Sequence, residues 1–94
     1  MSPRTPSVKV TTQPTAAGDL FGKRLRHLRE KSGLTQGAVA DAMGVPQTHV
    51  SAMERGLMLP NLLTVIRLAA ALDCKVSALT SVFDKADLSS ILTK

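Results

Sequence analysis

The chain has 94 residues, enough for one small domain whose single core is only just sufficient to hold it together. Hydrophobic residues make up 44%, yet Phe21 and Phe83 are the only aromatics, so the core is aliphatic and suits helix-on-helix packing better than a sheet. A formal net charge of +5 favours polyanionic partners, and one cysteine, Cys74, excludes an internal disulfide.

Residues 1–18, with Pro3, Pro6 and Pro14 among Thr and Ser, have no helical period and read as a flexible N-terminal tail. Within it the alternation Val8-Lys9-Val10-Thr11 can pair as a strand in an assembly. From Asp19, read as an N-cap, Leu20, Phe21, Arg24, Leu25 and Leu28 recur at three- and four-residue spacing, which predicts a first helix ended by Gly33. Lys23, Arg26 and Lys31 fill its other face. Thr35 caps a second helix, Gln36 to Met43, with Val39, Ala40 and Met43 inward, and Gly44 stops it. Pro46 occupies the first turn of a third helix that runs to Arg55, and Gly56 terminates it.

Leu57 to Pro60 reads as a connecting loop. Asn61 caps a fourth helix, Leu62 to Leu72, with Leu62, Val65, Ile66, Leu68, Ala69 and Leu72 inward. Val76 to Phe83 is a short fifth helix. Residues 84–94 form a C-terminal extension in which Leu88, Ile91 and Leu92 fit a further helical turn, a dimer contact or a frayed tail. The expected fold is therefore all-α: five short helices over residues 19–83, with flexible ends.

No catalytic constellation is visible. His27 and His49 lie on different elements, Cys74 has no partner, and there is neither a glycine-rich phosphate loop nor metal-ligand spacing. The expectation is a non-enzyme without cofactor or metal. The chain has no apolar stretch of about 18 residues and no apolar leader, so a cytoplasmic setting is expected.

The informative stretch is Thr35 to Gly56. Two helices that cross steeply through a short turn need a small residue at the crossing, a glycine at the turn and a shared apolar wedge. Ala40, Gly44 and the set Val39, Met43, Val45, Val50 and Met53 supply these in order. With the wedge inward, Gln47, Thr48, Ser51, Ala52 and Arg55 share one outward stripe of the third helix. Such short side chains suit a helix pressed into a major groove, where Gln can bond bidentately to adenine and a Thr or Ala methyl can meet the thymine methyl.

On these residues the chain resembles the phage repressor and Cro branch of the lambda-repressor-like family, also called the xenobiotic-response-element family. The resemblance spans about Phe21 to Phe83. It includes Leu25-x-x-Leu28-Arg29, Gly33-Leu34-Thr35-Gln36, the turn glycine Gly44, Glu54-Arg55-Gly56 and Leu68-Ala69-x-x-Leu72. It implies that Gln36 holds a DNA phosphate, that Gln47 is the leading base reader with Thr48 and Ala52 beside it, and that Arg29 and Glu54 pair to tie the first helix to the third. Ser51 joins the base-reading candidates, and Arg24, Arg26, His49 and Arg55 are the further phosphate candidates. The chain departs from the pattern at Leu57-Met58-Leu59, where family members often carry Lys or Arg. An exposed apolar run there, with Val82 and Phe83, is the expected dimer interface.

The function expected is sequence-specific binding of duplex DNA by a homodimer on a two-fold symmetric operator, as a small repressor or restriction-modification controller. RNA polymerase or a toxin are further partners to consider. The alternative is an antitoxin or other protein-interaction module built on the same fold.

Overall fold

In a computed structural model, residues 9–10 and 13–92 are described, and they form an all-α domain with one minimal strand pair. The elements are β1 (Lys9–Val10), α1 (Ala16–Lys31), α2 (Gln36–Met43), α3 (Gln47–Glu54), β2 (Met58–Leu59), α4 (Leu62–Leu72), α5 (Val76–Thr80), a 3₁₀ turn (Ser81–Phe83) and α6 (Leu88–Leu92). One aliphatic core gathers Phe21 and Leu25 of α1, Val39, Ala40 and Met43 of α2, Val50 and Met53 of α3, the α4 set and Leu79 of α5.

The helix ends follow from local chemistry. Thr35 Oγ1 accepts the Ala38 N–H at 3.0 Å and Asn61 Oδ1 accepts the Thr64 N–H at 2.8 Å, so both caps expected for α2 and α4 form. Between α2 and α3 the chain must reverse within a few residues. Gly44 does this at φ 72°, a left-handed conformation that a Cβ disfavours, and the Val45 N–H then bonds the Ala40 carbonyl at 3.0 Å.

Four expectations need correction. The first helix begins three residues earlier than Asp19, so Ala16 to Gly18 belong to α1 and not to a tail. Thr15 is the cap, its Oγ1 accepting the Gly18 N–H at 2.9 Å, with the good helix formers Ala16 and Ala17 behind it. Asp19 sits instead in the first turn and pairs with Lys23 at 3.2 Å.

The run Leu57-Met58-Leu59 is not an exposed loop. Met58 is buried, Leu57 is half-buried against the core, and only Leu59 is exposed. Met58 and Leu59 pair antiparallel with Val10 and Lys9 of the same chain, so the alternation around Lys9 is used inside the molecule. Val8 and Thr11, like residues 1–8 as a whole, lie outside the described residues.

On α4 the buried set is Val65, Leu68, Ala69 and Leu72, while Leu62 and Ile66 face out. Hydrophobicity could not choose the face, because Leu62, Leu63 and Ile66 form a second apolar stripe beside the first. The fifth helix also ends early. It gives way to a 3₁₀ turn at Ser81, in the weakly helical run Thr80-Ser81-Val82, and both Val82 and Phe83 are half-buried, Phe83 against the core. That leaves Val82 and Phe83 only partly accessible to a second subunit. The spacing of Leu88 and Ile91 is used in the sixth helix, α6.

Candidate nucleic-acid interface

The position of α3 is set first by α1. A Cβ on Gly22 would lie 2.5 Å from the Met53 carbonyl oxygen and 2.6 Å from that of Glu54, and one on Gly18 would lie 2.5 Å from the Gly56 carbonyl oxygen. The backbone of α1 therefore rests directly on the C-terminal end of α3. Sequence reading missed both glycines as packing residues. The four-residue spacing from Gly18 to Gly22 on one helical face was the signal available.

A charged staple completes the seam. Arg29 donates from Nε to Glu54 Oε2 at 2.5 Å and from Nη2 to Glu54 Oε1 at 3.0 Å, and its Nη1 reaches the Leu34 carbonyl at 2.9 Å. The Glu54 side chain is 4% exposed and that of Arg29 12%, so the pair is largely withdrawn from water. The Glu54 hydrogen bond, followed by its charge and that of Glu30, holds the guanidinium pKa above its ordinary value, against the opposing effect of burial.

From this staple a line of polar contacts runs outward. Gln36 Nε2 donates to Glu54 Oε1 at 3.0 Å, and Gln47 Nε2 donates to Gln36 Oε1 at 3.4 Å. The first residues of α2 and α3 are thereby joined, side by side, at one end of the helix pair. Gln47 and Thr48 are exposed and Ser51 is half-buried, which gives α3 a narrow polar stripe facing outward. Arg55 continues the stripe as an exposed cation, with Nε 3.4 Å from the Ser51 carbonyl oxygen.

Three sequence-derived candidates sit differently. Ala52 is 7% exposed and belongs to the core, which leaves its methyl little surface to offer a base edge. Each helical residue turns about 100°, which puts Ala52 at the edge of the stripe. After Gly56 the chain folds back there, with the Leu57 N–H on the Ala52 carbonyl at 2.9 Å. His49 is exposed but lies off the stripe, where with Arg67 and Thr64 it rims a cavity of about 40 Å³ floored by Met43, Val45, Met53 and Met58. That volume has room for little more than a water molecule.

Arg24 faces another way. Its Nε donates to the Ala78 carbonyl at 2.7 Å, which ties α1 to α5. Arg26 is exposed and pairs with Glu30 at 3.0 Å, and that hydrogen bond keeps the Glu30 carboxyl below its usual pKa range. Such a solvated pair is weak and can open toward another anion.

Among the described residues no three His, Cys, Asp or Glu side chains come together as a metal site, and no helix is long and apolar enough to cross a membrane.

A helix-turn-helix family model matches residues 25–79. The chain is 40% identical over 53 residues to an uncharacterized HTH-type transcriptional regulator, y4dJ, of Sinorhizobium fredii, a stretch that covers 56% of this chain and 69% of that protein. Among solved structures it is similar to the restriction-modification controller protein C.AhdI from Aeromonas hydrophila, at 38% identity and a TM-score of 0.66, over 68% of this chain and 97% of that one. The clp gene regulator ClgR from C. glutamicum matches with a TM-score of 0.68 and 25% identity, over 81% of this chain and 99% of that one.

Proposed function

The chain belongs to the helix-turn-helix family, with the lambda-repressor-like fold and homology to transcriptional regulators, and we propose that it binds duplex DNA sequence-specifically as a homodimer. The observation that carries this reading is the outward stripe of α3. Gln47, Thr48, Ser51 and Arg55 stand on a helix whose position is fixed by two glycine contacts and a withdrawn ion pair. A reading helix must be rigid and must carry short, directional polar groups; this one meets both conditions.

In this reading Gln47 meets a base edge, Thr48 and Ser51 meet neighbouring edges, and Gln36, Arg26 and Arg55 meet phosphates. Its similarity to C.AhdI favours the controller or small repressor type. The second subunit needs an apolar surface, and α4 offers one. Leu62, Leu63 and Ile66 are 69%, 55% and 47% exposed along one stripe, whereas of Leu57, Met58 and Leu59 only Leu59 is exposed. A two-fold dimer of this class places its two reading helices in successive major grooves about 34 Å apart.

Selection of bound sequences from a random duplex pool tests this. Two inverted half-sites, with affinity falling steeply as salt rises, are expected. Recovery of no enriched sequence would overturn it.

A further inference from the structure

Resting on the reading of Gln47 as a base contact, we infer that Glu54 is a specificity-determining residue that never touches DNA, acting by fixing which way the Gln36 and Gln47 amides point. A glutamine amide is nearly symmetric in shape, with oxygen and nitrogen interchangeable by a half-turn, so its reading of a base depends on what sets its sense. Glu54 supplies that sense. Its carboxylate is held by Arg29 Nε and Nη2 and offers only acceptors, so the Gln36 amide must present Nε2 to it, as it does at 3.0 Å. The half-turned amide would set oxygen against oxygen.

With Nε2 committed inward, Gln36 presents Oε1 to its neighbour, and only Gln47 Nε2 can bond it. The sense therefore passes from a withdrawn carboxylate, through one amide, to the amide at the start of α3. Gln47 is left with Oε1 as a free acceptor and one free N–H on Nε2, since neither has another protein partner among the described residues. That acceptor and donor, side by side in fixed order, match the N6 amino group and N7 of adenine. Gln36 keeps one N–H for a phosphate oxygen, so a single residue joins backbone positioning to base choice.

Without the carboxylate the order is lost. In Glu54→Gln the group facing Gln36 can present either an oxygen or an N–H, so both senses of Gln36 become available and Gln47 follows either. Gln36→Met breaks the same line one step further out. It leaves the Arg29–Glu54 pair intact and changes only a half-buried surface side chain.

The experiment is selection from a random duplex pool with the full chain and with the variants Gln47→Ala, Glu54→Gln and Gln36→Met, each checked by circular dichroism. Gln47→Ala identifies the base-pair position that Gln47 reads, by flattening its preference. Both Glu54→Gln and Gln36→Met are expected to lower the adenine preference at that same position about tenfold, leaving the other positions within about twofold of wild type. Loss of the Gln36 phosphate contact alone would lower affinity for all sequences alike and leave the preference at every position unchanged, so a preference lost at one position reports the relay. If Gln47→Ala flattens one position while folded Gln36→Met and Glu54→Gln keep full preference there, the relay is wrong and the base contact stands. If Gln47→Ala flattens none, the base contact itself falls and the relay with it.

Discussion

Helices α3 and α4 share one core, but only α3 adds a polar clamp to its burial. Beside buried Val50, Ala52 and Met53, its C-terminal end packs carbonyl oxygens close on Gly18 and Gly22 and sets a carboxylate against Arg29. Helix α4 is held by aliphatic burial of Val65, Leu68, Ala69 and Leu72. Their outer faces differ in the same way, polar on α3 and apolar on α4. Directional contacts fix rotation about the helix axis, which a reading surface requires, whereas burial fixes only depth. The bare apolar stripe of α4 suits a partner surface of its own kind.

The sharpest break in this comparison is Glu54→Ala. It strands the Arg29 guanidinium, which is 12% exposed, and should cost about 3–5 kcal/mol in urea unfolding. A loss under about 1 kcal/mol would mean that the pair does not hold α3. The matching change on α4, Leu68→Ala at a fully buried site, should cost about 2–5 kcal/mol by leaving a cavity. Under conditions where both variants remain folded, Leu68→Ala should retain the selected DNA sequence and Glu54→Ala should not.

Gly22→Ala sharpens the contrast. The added methyl meets backbone rather than a movable side chain, so α1 and α3 must separate, at about 1–3 kcal/mol. DNA affinity measured on the folded variant should fall as well. An affinity equal to wild type would show that the close approach serves stability alone.

Changing Leu62 and Ile66 together to Ser should leave thermal stability of the isolated subunit within about 0.5 kcal/mol, since both side chains already face water. Sedimentation should then show more monomer. A variant as dimeric as wild type would move the interface to another apolar surface, with Leu88 and Leu92 of α6 the next exposed pair.

The smallest effect concerns Cys74, where burial raises the thiol pKa above its usual range. Burial favours the neutral thiol, so its contribution to stability is present below the ordinary thiol range and is lost as pH rises through the folded value. Alkylation near pH 8 should be slower in the folded chain than in urea. Equal rates would place the thiol in open water.

Much of this contrast was legible in the chain itself. The caps Thr35 and Asn61, the turn at Gly44 and the Val39–Met53 wedge are local signals, each needing a particular residue at a particular step, and the helices formed where those signals stood. The pairing of Arg29 with Glu54 agrees with the family resemblance, whereas the contact of Gln36 with Gln47 was not foreseen. What the chain concealed was set by tertiary contact. Leu62-Leu63-Thr64-Val65-Ile66 is apolar on more than one side, so only packing against α2 and α5 chose the buried face. Met58 looked exposed because its cover, the return of the chain onto α3 and the strand at Lys9, comes from distant residues. Ala52 sat at the edge of a stripe that sequence spacing draws too wide.

The most direct test of the contrast between α3 and α4 is an amide-resolved NMR titration of the chain with the selected duplex. The account predicts perturbations centred on Gln36, Gln47, Thr48, Ser51 and Arg55, weakening with salt, and none at Leu62, Leu63 or Ile66 beyond those that accompany dimerisation without DNA. Perturbations that cluster on the α4 stripe and spare Gln36 and Gln47 would contradict it.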